Sequence, residues 1–192
     1  MNRKNFLAML IIMVCMLFSA QLASANLVTN PGFENGMNGW SGGGASFETS
    51  GFAGWTPHSG DYFAAFGYVG SLGSITQTLA TTPGQQYDLS YYFGSDGYTP
   101  NQFITTVGGI VLFNQSNIPD NIPSRTYTLY NYTFTATSSL TDLTFSGRDD
   151  PAWLALDDIS VTPGSAVPEP ATMLLLGLGL VGLAGARRKF KK

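Results

Sequence analysis

The sequence predicts an all-β fold, a sandwich of short antiparallel strands. Apolar and polar residues alternate with a period of two in several segments, which is typical of strands with one buried face. Glycine, proline and asparagine separate these segments at a spacing of roughly ten residues. Windows rich in alanine, leucine, glutamate and lysine are scarce in the central part of the chain, which favours strands over helices there.

The alternation predicts the strands in chain order. Ile75 and Leu79 share one face of a strand over 74–79, and Gln77 is expected on that face near its rim. A turn at 82–84 leads to a clear half-buried strand over 87–93, followed by a loop. The later strands are predicted over 103–113, with a hairpin or bulge at the glycine pair 108–109, and over 130–135, 143–145 and 153–161.

The charge distribution excludes one class of partner. Residues 26–166 contain eleven acidic residues, no lysine, and only Arg125 and Arg148 as bases. Nucleic-acid binding needs a basic surface, so that class is excluded, whereas calcium and neutral glycans remain open. The single cysteine, Cys15, lies in the N-terminal apolar stretch, so the central domain has neither a disulfide nor a thiol nucleophile.

The N-terminal segment has the three parts of a secretory signal peptide. Arg3 and Lys4 precede an apolar stretch over 6–18, and Ala23-Ser24-Ala25 supplies small residues after it. Signal peptidase reads small residues at these positions. We therefore expect export and a signal peptide over 1–25; the alternative is an uncleaved anchor helix.

The C-terminal end combines a short motif, an apolar stretch and a basic tail. No charged residue lies in 171–186, and five lysines and arginines follow it. As a helix of about 16 residues the stretch extends roughly 24 Å against a hydrocarbon core of ~30 Å, so it spans a membrane only marginally. The basic cluster predicts that the tail stays on the cytoplasmic side.

The motif before this helix is Val167, Pro168, Glu169 and Pro170. Together with the helix and the basic tail, it resembles the PEP-CTERM sorting signal of Gram-negative bacteria that make exopolysaccharide. The resemblance implies an exosortase-type processing enzyme as a partner, transient insertion in the inner membrane, and delivery to the cell surface or extracellular matrix. It covers 167–192; the alternative is a plain tail anchor behind a proline-rich linker.

Three phrases of the central domain carry a second resemblance. NLVTNPGFENG opens the domain over 26–36, HSGDYFAAF follows over 58–66, and ALDDISVTP closes it over 155–163. In this order they resemble the galactose-binding-like jelly roll of carbohydrate-binding modules and related secreted domains. The resemblance implies a jelly-roll β-sandwich over 26–166 and a possible contact with extracellular polysaccharide.

The second resemblance also implies a structural calcium ion between the first strand, the HSGDY loop and the last strand. Glu34 and Asp157 are the expected carboxylate ligands, with Asp61 as a further candidate and carbonyl oxygens near 59–61 completing the site. The alternatives are backbone hydrogen bonds to Asp157 and a turn role for Asp61.

Alternation along the last strand gives a separate argument about Asp157. If Ile159 and Val161 face the core, a period of two places Asp157 on the same face, where a buried carboxylate needs a cation or several donors. The acidic pair at 149–150 precedes a proline and is expected in a solvated turn.

Sugar binding would use aromatic faces together with amide and hydroxyl groups. The candidates in predicted loops are Trp55, Tyr98, Asn101 and Gln102. Trp40 and Trp153 are instead expected to pack in the core, and no aromatic row is visible along one strand face.

Catalysis is not expected. His58 is the only histidine, and no nucleophile-elbow pattern accompanies it, so a Ser-His-Asp triad has no support. Glu34 and Asp157 would serve a glycosidase only if they are not calcium ligands. We therefore expect a non-catalytic surface protein that contacts polysaccharide or matrix; the alternatives are a structural protein without a small ligand and a glycan-active hydrolase.

Overall fold

The structure, a computed structural model, describes residues 25–121, 123 and 125–164. The predicted signal peptide up to residue 24 and the predicted sorting signal over 167–192 lie outside these residues. Within the part that is described, no helix has the length and apolar character needed to cross a membrane.

The described residues form two five-stranded antiparallel sheets packed face to face. The strands are β1 Ser41–Gly42, β2 Ser46–Thr49, β3 Tyr62–Phe66, β4 Gly73–Ala80, β5 Gln86–Gly94, β6 Asn101–Val107, β7 Ile110–Ser116, β8 Thr128–Thr135, β9 Leu140–Asp149 and β10 Leu154–Pro163. The first sheet has the order β1-β4-β9-β6-β7, and the second has the order β2-β3-β10-β5-β8. The predicted all-β sandwich is confirmed.

Side-chain alternation produces the buried faces as the sequence predicts. In β4, Ile75 and Leu79 are buried while Thr78 is exposed. Gln77 lies on the buried face and binds the opening segment, because its amide donates to the carbonyl of Thr29 at 2.9 Å and accepts from the N–H of Thr29 at 2.7 Å. Gln77, which is predicted near the rim of this face, therefore binds the N-terminal segment to β4.

The interior between the sheets is packed with aromatic rings. Phe103 of β6 stacks on Phe93 of β5 with ring centroids 4.1 Å apart, and it also contacts Phe66 and Phe145. All four rings have at most 1 % of their surface exposed. Burial on this scale contributes roughly 25 cal/mol per Å² of apolar surface removed from water, so this aromatic cluster is a main source of the free energy that holds the sheets together.

A bulge in β10 changes the face on which Asp157 lies. Asp157 pairs with Tyr92, whereas Ser160 pairs with Ser90, so one extra residue is inserted at Asp158, whose φ is 48°. Residues on the two sides of a bulge no longer follow one alternation. The predicted position of Asp157 on the face of Ile159 and Val161 is therefore wrong.

The core residues of β10 confirm this correction. Leu154, Leu156, Ile159 and Val161 all belong to the main core between the sheets, although they do not share one even spacing. Asp157 lies on the opposite, outer face of the second sheet. It is nevertheless fully buried, because the segment that precedes β3 covers this face and donates backbone hydrogen bonds to it.

Candidate functional site

An open cleft lies where three loops carry the chain from one sheet to the other. These loops connect β5 to β6, β7 to β8, and β9 to β10. The cleft has a volume of about 410 Å³, and its walls include Asp96, Tyr98, Arg125, Pro151 and Trp153. This volume lies in the range of small-ligand sites.

Two aromatic side chains contribute to the cleft. Tyr98 is 55 % exposed, and Trp153 is half-buried with its ring edge-on to Phe52 at a centroid distance of 4.9 Å. Trp153 also lines a neighbouring cleft of about 220 Å³ that includes Tyr68. Trp153 was predicted to pack in the core. It lies outside the main core between the sheets and packs, partly buried, against a smaller apolar cluster that includes Phe63 and Ala155 on the outer face of the second sheet.

Asn101 supports the wall of the cleft. Only 2 % of it is exposed, so its amide is not available to a sugar. Its side-chain nitrogen donates to the carbonyls of Tyr98 and Ile118 at 2.7 and 2.9 Å, and its side-chain oxygen accepts from the N–H of Ile118 at 2.7 Å. These bonds satisfy backbone groups in the two loops and thereby hold Tyr98 in place.

The other two predicted ligand residues do not lie on the cleft surface. Trp55 has no exposed surface and packs edge-on against Tyr127 at 5.5 Å, so its ring is not free to stack on a sugar. Gln102 lies in β6 and donates to the side chain of Asn114 in β7 at 2.9 Å. Of the four residues predicted for sugar binding, only Tyr98 lines the cleft.

Sequence reasoning did not select two polar residues of the cleft, Asp96 and Arg125. The sequence contained an indication for each of these two residues. Asp96 lies two positions before Tyr98 in the same predicted loop, and Arg125 is one of only two basic residues in the domain. The positions of the loops relative to one another were needed to bring these residues together.

Carboxylates from two of the predicted calcium-site segments surround Gly32. A Cβ atom on Gly32 would lie 3.4 Å from Oδ1 of Asp158, 3.6 Å from Oδ1 of Asp157 and 3.8 Å from Oε1 of Glu34. Asp61 joins through its backbone, because its N–H donates to Oε1 of Glu34 at 3.0 Å. The opening segment, the loop before β3 and the last strand therefore meet at one place.

Backbone hydrogen bonds hold the carboxylate of Asp157. It accepts from the N–H groups of His58 at 2.8 Å, Ser59 at 3.3 Å and Asp158 at 2.8 Å. Burial, followed by the negative charge of Asp158, nevertheless raises the pKa of Asp157 to about 7. The bonds thus satisfy the oxygens of this carboxylate without balancing its charge.

The donors around Gly32 fit calcium in chemistry, because all of them are carboxylate oxygens. Within residues 25–121, 123 and 125–164, no three histidine, cysteine or acidic side chains already stand in an arrangement that could hold a metal ion. The carboxylates would therefore have to move closer together before a cation could bind there.

His58 does not form a catalytic triad with its neighbours. Its Nδ1 lies 2.6 Å from Oδ2 of Asp158, but the hydroxyl of Ser59 donates to Oδ1 of the same Asp158 at 2.7 Å. A triad requires the serine hydroxyl to bond the histidine. The imidazole ring instead stacks on Tyr92 at a centroid distance of 3.5 Å, which is a packing role.

Comparison with known proteins identifies the C-terminal motif. Residues 166–189 match the family described as the PEP-CTERM protein-sorting motif. These residues follow the β-sandwich and include the predicted Val167-Pro168-Glu169-Pro170 motif. No curated protein matches the chain.

Solved structures with the same fold include carbohydrate-binding modules. TmCBM61, solved with β-1,4-galactotriose, is 19 % identical with a TM-score of 0.53, and the match covers 73 % of this chain and 100 % of that one. The CBM22-1 xylan-binding domain of Paenibacillus barcinonensis Xyn10C is 17 % identical with a TM-score of 0.53, and the match covers 77 % and 100 %.

An enzyme domain shares the architecture as well. The enzymatically active domain of tailspike protein 4 of bacteriophage CBA120 is 12 % identical with a TM-score of 0.54, and the match covers 72 % of this chain and 21 % of that one. At these identities the likeness shows the fold alone. The chain thus has the jelly-roll fold of the carbohydrate-binding modules, as predicted, and it carries a PEP-CTERM protein-sorting motif at its C-terminal end.

Proposed function

We propose that this chain is an exported cell-surface protein whose β-sandwich binds a neutral polysaccharide in the cleft lined by Tyr98 and Trp153. The observation that supports the proposal is the composition of this cleft, which combines two partly exposed aromatic rings with Asp96 and Arg125. Aromatic faces stack on the C–H surfaces of sugars, and charged or amide groups bind the hydroxyls.

The charges of the domain favour an uncharged glycan. The domain has eleven acidic residues against two arginines, and the charged groups of the cleft, Asp96 and Arg125, have opposite signs. An anionic polysaccharide would be repelled by the overall negative charge. TmCBM61 was solved in complex with β-1,4-galactotriose, and the CBM22-1 domain is named a xylan-binding domain, so β-1,4-galactan and xylan are the first probes.

Electrophoresis in gels that contain polysaccharide tests this proposal. The full-length chain in detergent is run on native gels with β-1,4-galactan or xylan, and retardation by either polysaccharide is expected. Tyr98→Ala and Trp153→Ala should each weaken binding by about tenfold, the equivalent of ~1.4 kcal/mol for a lost stacking platform. The control is Tyr62→Ala, which removes a tyrosine that is 36 % exposed and lies outside the cleft.

The outcomes separate three functions. If Tyr62→Ala abolishes retardation as well, the cleft is not the polysaccharide-binding site. Lack of retardation on every neutral polysaccharide would favour a structural surface protein without a small ligand. Oligosaccharides released from the polysaccharide during incubation would favour the glycan-active hydrolase.

The sorting motif supports the proposed location. The motif over 167–170, the apolar stretch and the basic tail would hold the exported chain in the inner membrane until an exosortase-type enzyme releases it, after signal peptidase has removed the first 25 residues. The matched family is a protein-sorting motif, and the marginal length of the apolar stretch suits a temporary anchor.

Cell fractionation tests this route. In a bacterium that has such a sorting system, replacing Pro168, Glu169 and Pro170 by alanine should leave an uncleaved precursor in the inner membrane. The matched control replaces Pro163, the last residue of β10, by alanine. A triple variant that reaches the cell surface at the mass of the natural chain would contradict the sorting proposal.

A structural calcium ion is proposed for the carboxylates around Gly32. Glu34, Asp157 and Asp158 would supply its side-chain oxygens, and Asp61 would keep the loop before β3 in place through its bond to Glu34. The ion would supply the positive charge that the hydrogen bonds of Asp157 do not. The support for the proposal is the convergence of these carboxylates on one gap.

A further inference from the structure

Asp149 is a buried carboxylate without a hydrogen-bond donor. It is the last residue of β9 and has no exposed surface. Neither of its carboxylate oxygens has a hydrogen-bond partner among the residues that the structure describes. The expectation that residue 149 lies in a solvated turn is therefore wrong for Asp149. A buried charge of this kind costs free energy unless a proton or a cation neutralises it.

The group that faces Asp149 is another carboxylate. Asp96, in the loop between β5 and β6, is 8 % exposed. Asn101, the partner of Asp149 in the pairing of β6 with β9, donates to the hydroxyl of Ser95 and to the carbonyl of Tyr98, which places Asp149 beside the segment that carries Asp96. Burial, followed by the charge of Asp96, raises the pKa of Asp149 to about 8. Two neighbouring carboxylates repel each other when both are ionised, so either a proton or a cation has to neutralise the pair.

Neither arginine of the domain supplies the positive charge. Among the described residues, Arg125, which lines the cleft with Asp96, forms no salt bridge. Arg148, the preceding residue, directs its side chain to Asp150, with Nη2 2.5 Å from Oδ2 and Nε 3.1 Å from the same oxygen. Asp150 also accepts from the N–H of Gly70 at 3.1 Å. Asp150 and Arg148 thus neutralise each other at the surface, and the pair of Asp96 and Asp149 stays uncompensated.

Asp96 connects this pair to the cleft. Asp96 lines the cleft and keeps 8 % of its surface exposed. It also accepts from the N–H of Tyr98 at 3.3 Å and from the N–H of Trp153 at 3.4 Å, which are long and hence weak bonds. Much of the binding capacity of these oxygens is thus unused, although the same carboxylate contacts the backbone of both aromatic residues.

We propose that Asp96 and Asp149 bind one divalent cation of the calcium class beneath the cleft, at a site separate from the carboxylates around Gly32. The side-chain donors are oxygens only, which favours a hard cation such as calcium over zinc or copper. Two carboxylates neutralise the double charge of such an ion, and water from the cleft completes its coordination. The cation replaces the missing hydrogen-bond donors of Asp149.

Calcium binding by the full-length chain in detergent tests the proposal. The chain is stripped with a chelator and titrated with calcium in competition with a chromophoric chelator, which reports the number of ions bound per chain. Asp149→Asn keeps the shape of the side chain and removes its charge, so it should lower that number by one. Asp96→Asn should also lower the number of bound ions by one, and it is the variant to measure if Asp149→Asn does not fold.

Two further variants make the result specific. Asp88→Asn removes the same charge from an exposed position in β5 and should leave the number of bound ions unchanged. Asp157→Asn tests the carboxylates around Gly32. A chain that carries both Asp149→Asn and Asp157→Asn should therefore bind two calcium ions fewer than the natural chain. The readout does not involve a glycan, so its outcome is independent of the proposed polysaccharide binding.

One result would overturn the site. If Asp149→Asn and Asp96→Asn bind as many calcium ions as the natural chain, the pair holds a shared proton and no cation. A higher melting temperature of Asp149→Asn in chelator, together with an unchanged number of bound calcium ions, would lead to the same conclusion.

Discussion

The indole ring of Trp153 lies directly against Gly67, at the edge of the proposed polysaccharide cleft. A Cβ atom on Gly67 would come within 2.4 Å of Cε3 of Trp153, which is far inside van der Waals contact. Gly67→Ala should therefore displace the indole ring, lower the free energy of unfolding by about 1–3 kcal/mol, and weaken retardation on polysaccharide gels. Urea unfolding and gel retardation measure the two effects.

Gly43→Ala is the matched control for this substitution. Gly43 lines the neighbouring cleft that also contacts Trp153, yet a Cβ atom there would meet nothing within 4 Å. It should leave both stability and retardation unchanged. Normal polysaccharide binding by Gly67→Ala would show that the position of Trp153 does not matter for the cleft.

A hydrogen bond between the two sheets should contribute measurably to stability. The hydroxyl of Thr105 in β6 donates to the hydroxyl of Tyr91 in β5 at 2.8 Å, and both residues are fully buried. Tyr91→Phe leaves the Thr105 hydroxyl without this partner and should lower the free energy of unfolding by about 1–3 kcal/mol. Chemical denaturation of the variant measures the loss.

A second substitution separates the hydrogen bond from packing. Combining Tyr91→Phe with Thr105→Val removes both hydroxyls and should restore part of the lost stability, because no buried donor is then left unpaired. This account would be contradicted if the double variant lost more free energy of unfolding than the two single variants lose together.

Without divalent cations, stability should fall as the pH rises through the neutral range. The pKa of Asp157 is raised to about 7 and that of Asp149 to about 8, whereas an unfolded aspartate titrates near 3.9. Between the unfolded and folded pKa values, the folded chain holds protons that the unfolded chain has released. The stability that these protons contribute is complete below about pH 4, and it is lost as the pH rises through the folded pKa values.

Urea unfolding at pH 5 and at pH 8.5 after removal of divalent cations measures this effect. Asp149→Asn and Asp157→Asn should each make the difference between the two pH values smaller, because asparagine does not titrate. A chain whose stability is the same at both pH values would show that neither carboxyl group retains its proton in the folded state.

Calcium should stabilise the loop that precedes β3. At a hundred times the dissociation constant, a bound ion adds about 2.7 kcal/mol to the free energy of unfolding, so the melting temperature should rise on addition of calcium. Asp157→Asn should remove the part of this rise that comes from the carboxylates around Gly32. Asp142→Asn, an exposed carboxylate of β9 that accepts from Thr78, is the control and should leave the rise unchanged.

Most of the strand pattern was predictable because it is local. The alternation from Ile75 to Leu79 and from Tyr87 to Phe93 predicted β4 and β5. The glycine pair at 108–109 predicted a hairpin or a bulge, and β6 and β7 form a hairpin there. The first three strands were not predicted individually. β1 has only two residues, and its glycine-rich segment forms a strand only by pairing with Thr76 and Ile75 of β4.

The site was predictable only in part. Tyr98 is predicted as a sugar contact because it is an aromatic residue in a predicted loop, and it does line the cleft. Trp55 was selected for the same reason, yet it is covered by Tyr127 and its surroundings. Whether a loop aromatic is exposed depends on which other segment folds over it, and that information is not local.

Taken by itself, the sequence predicted a signal peptide and identified the sorting motif, the excess of acidic residues and the all-β class, because each of these depends on composition or on neighbouring residues. Only the tertiary structure decided the face of Asp157 and the meeting of Asp96 with Asp149. The first follows from one inserted residue at Asp158, and the second from strand order, which brings the end of β9 beside the loop that follows β5. Both are contacts between distant segments, and strand alternation carries no information about them.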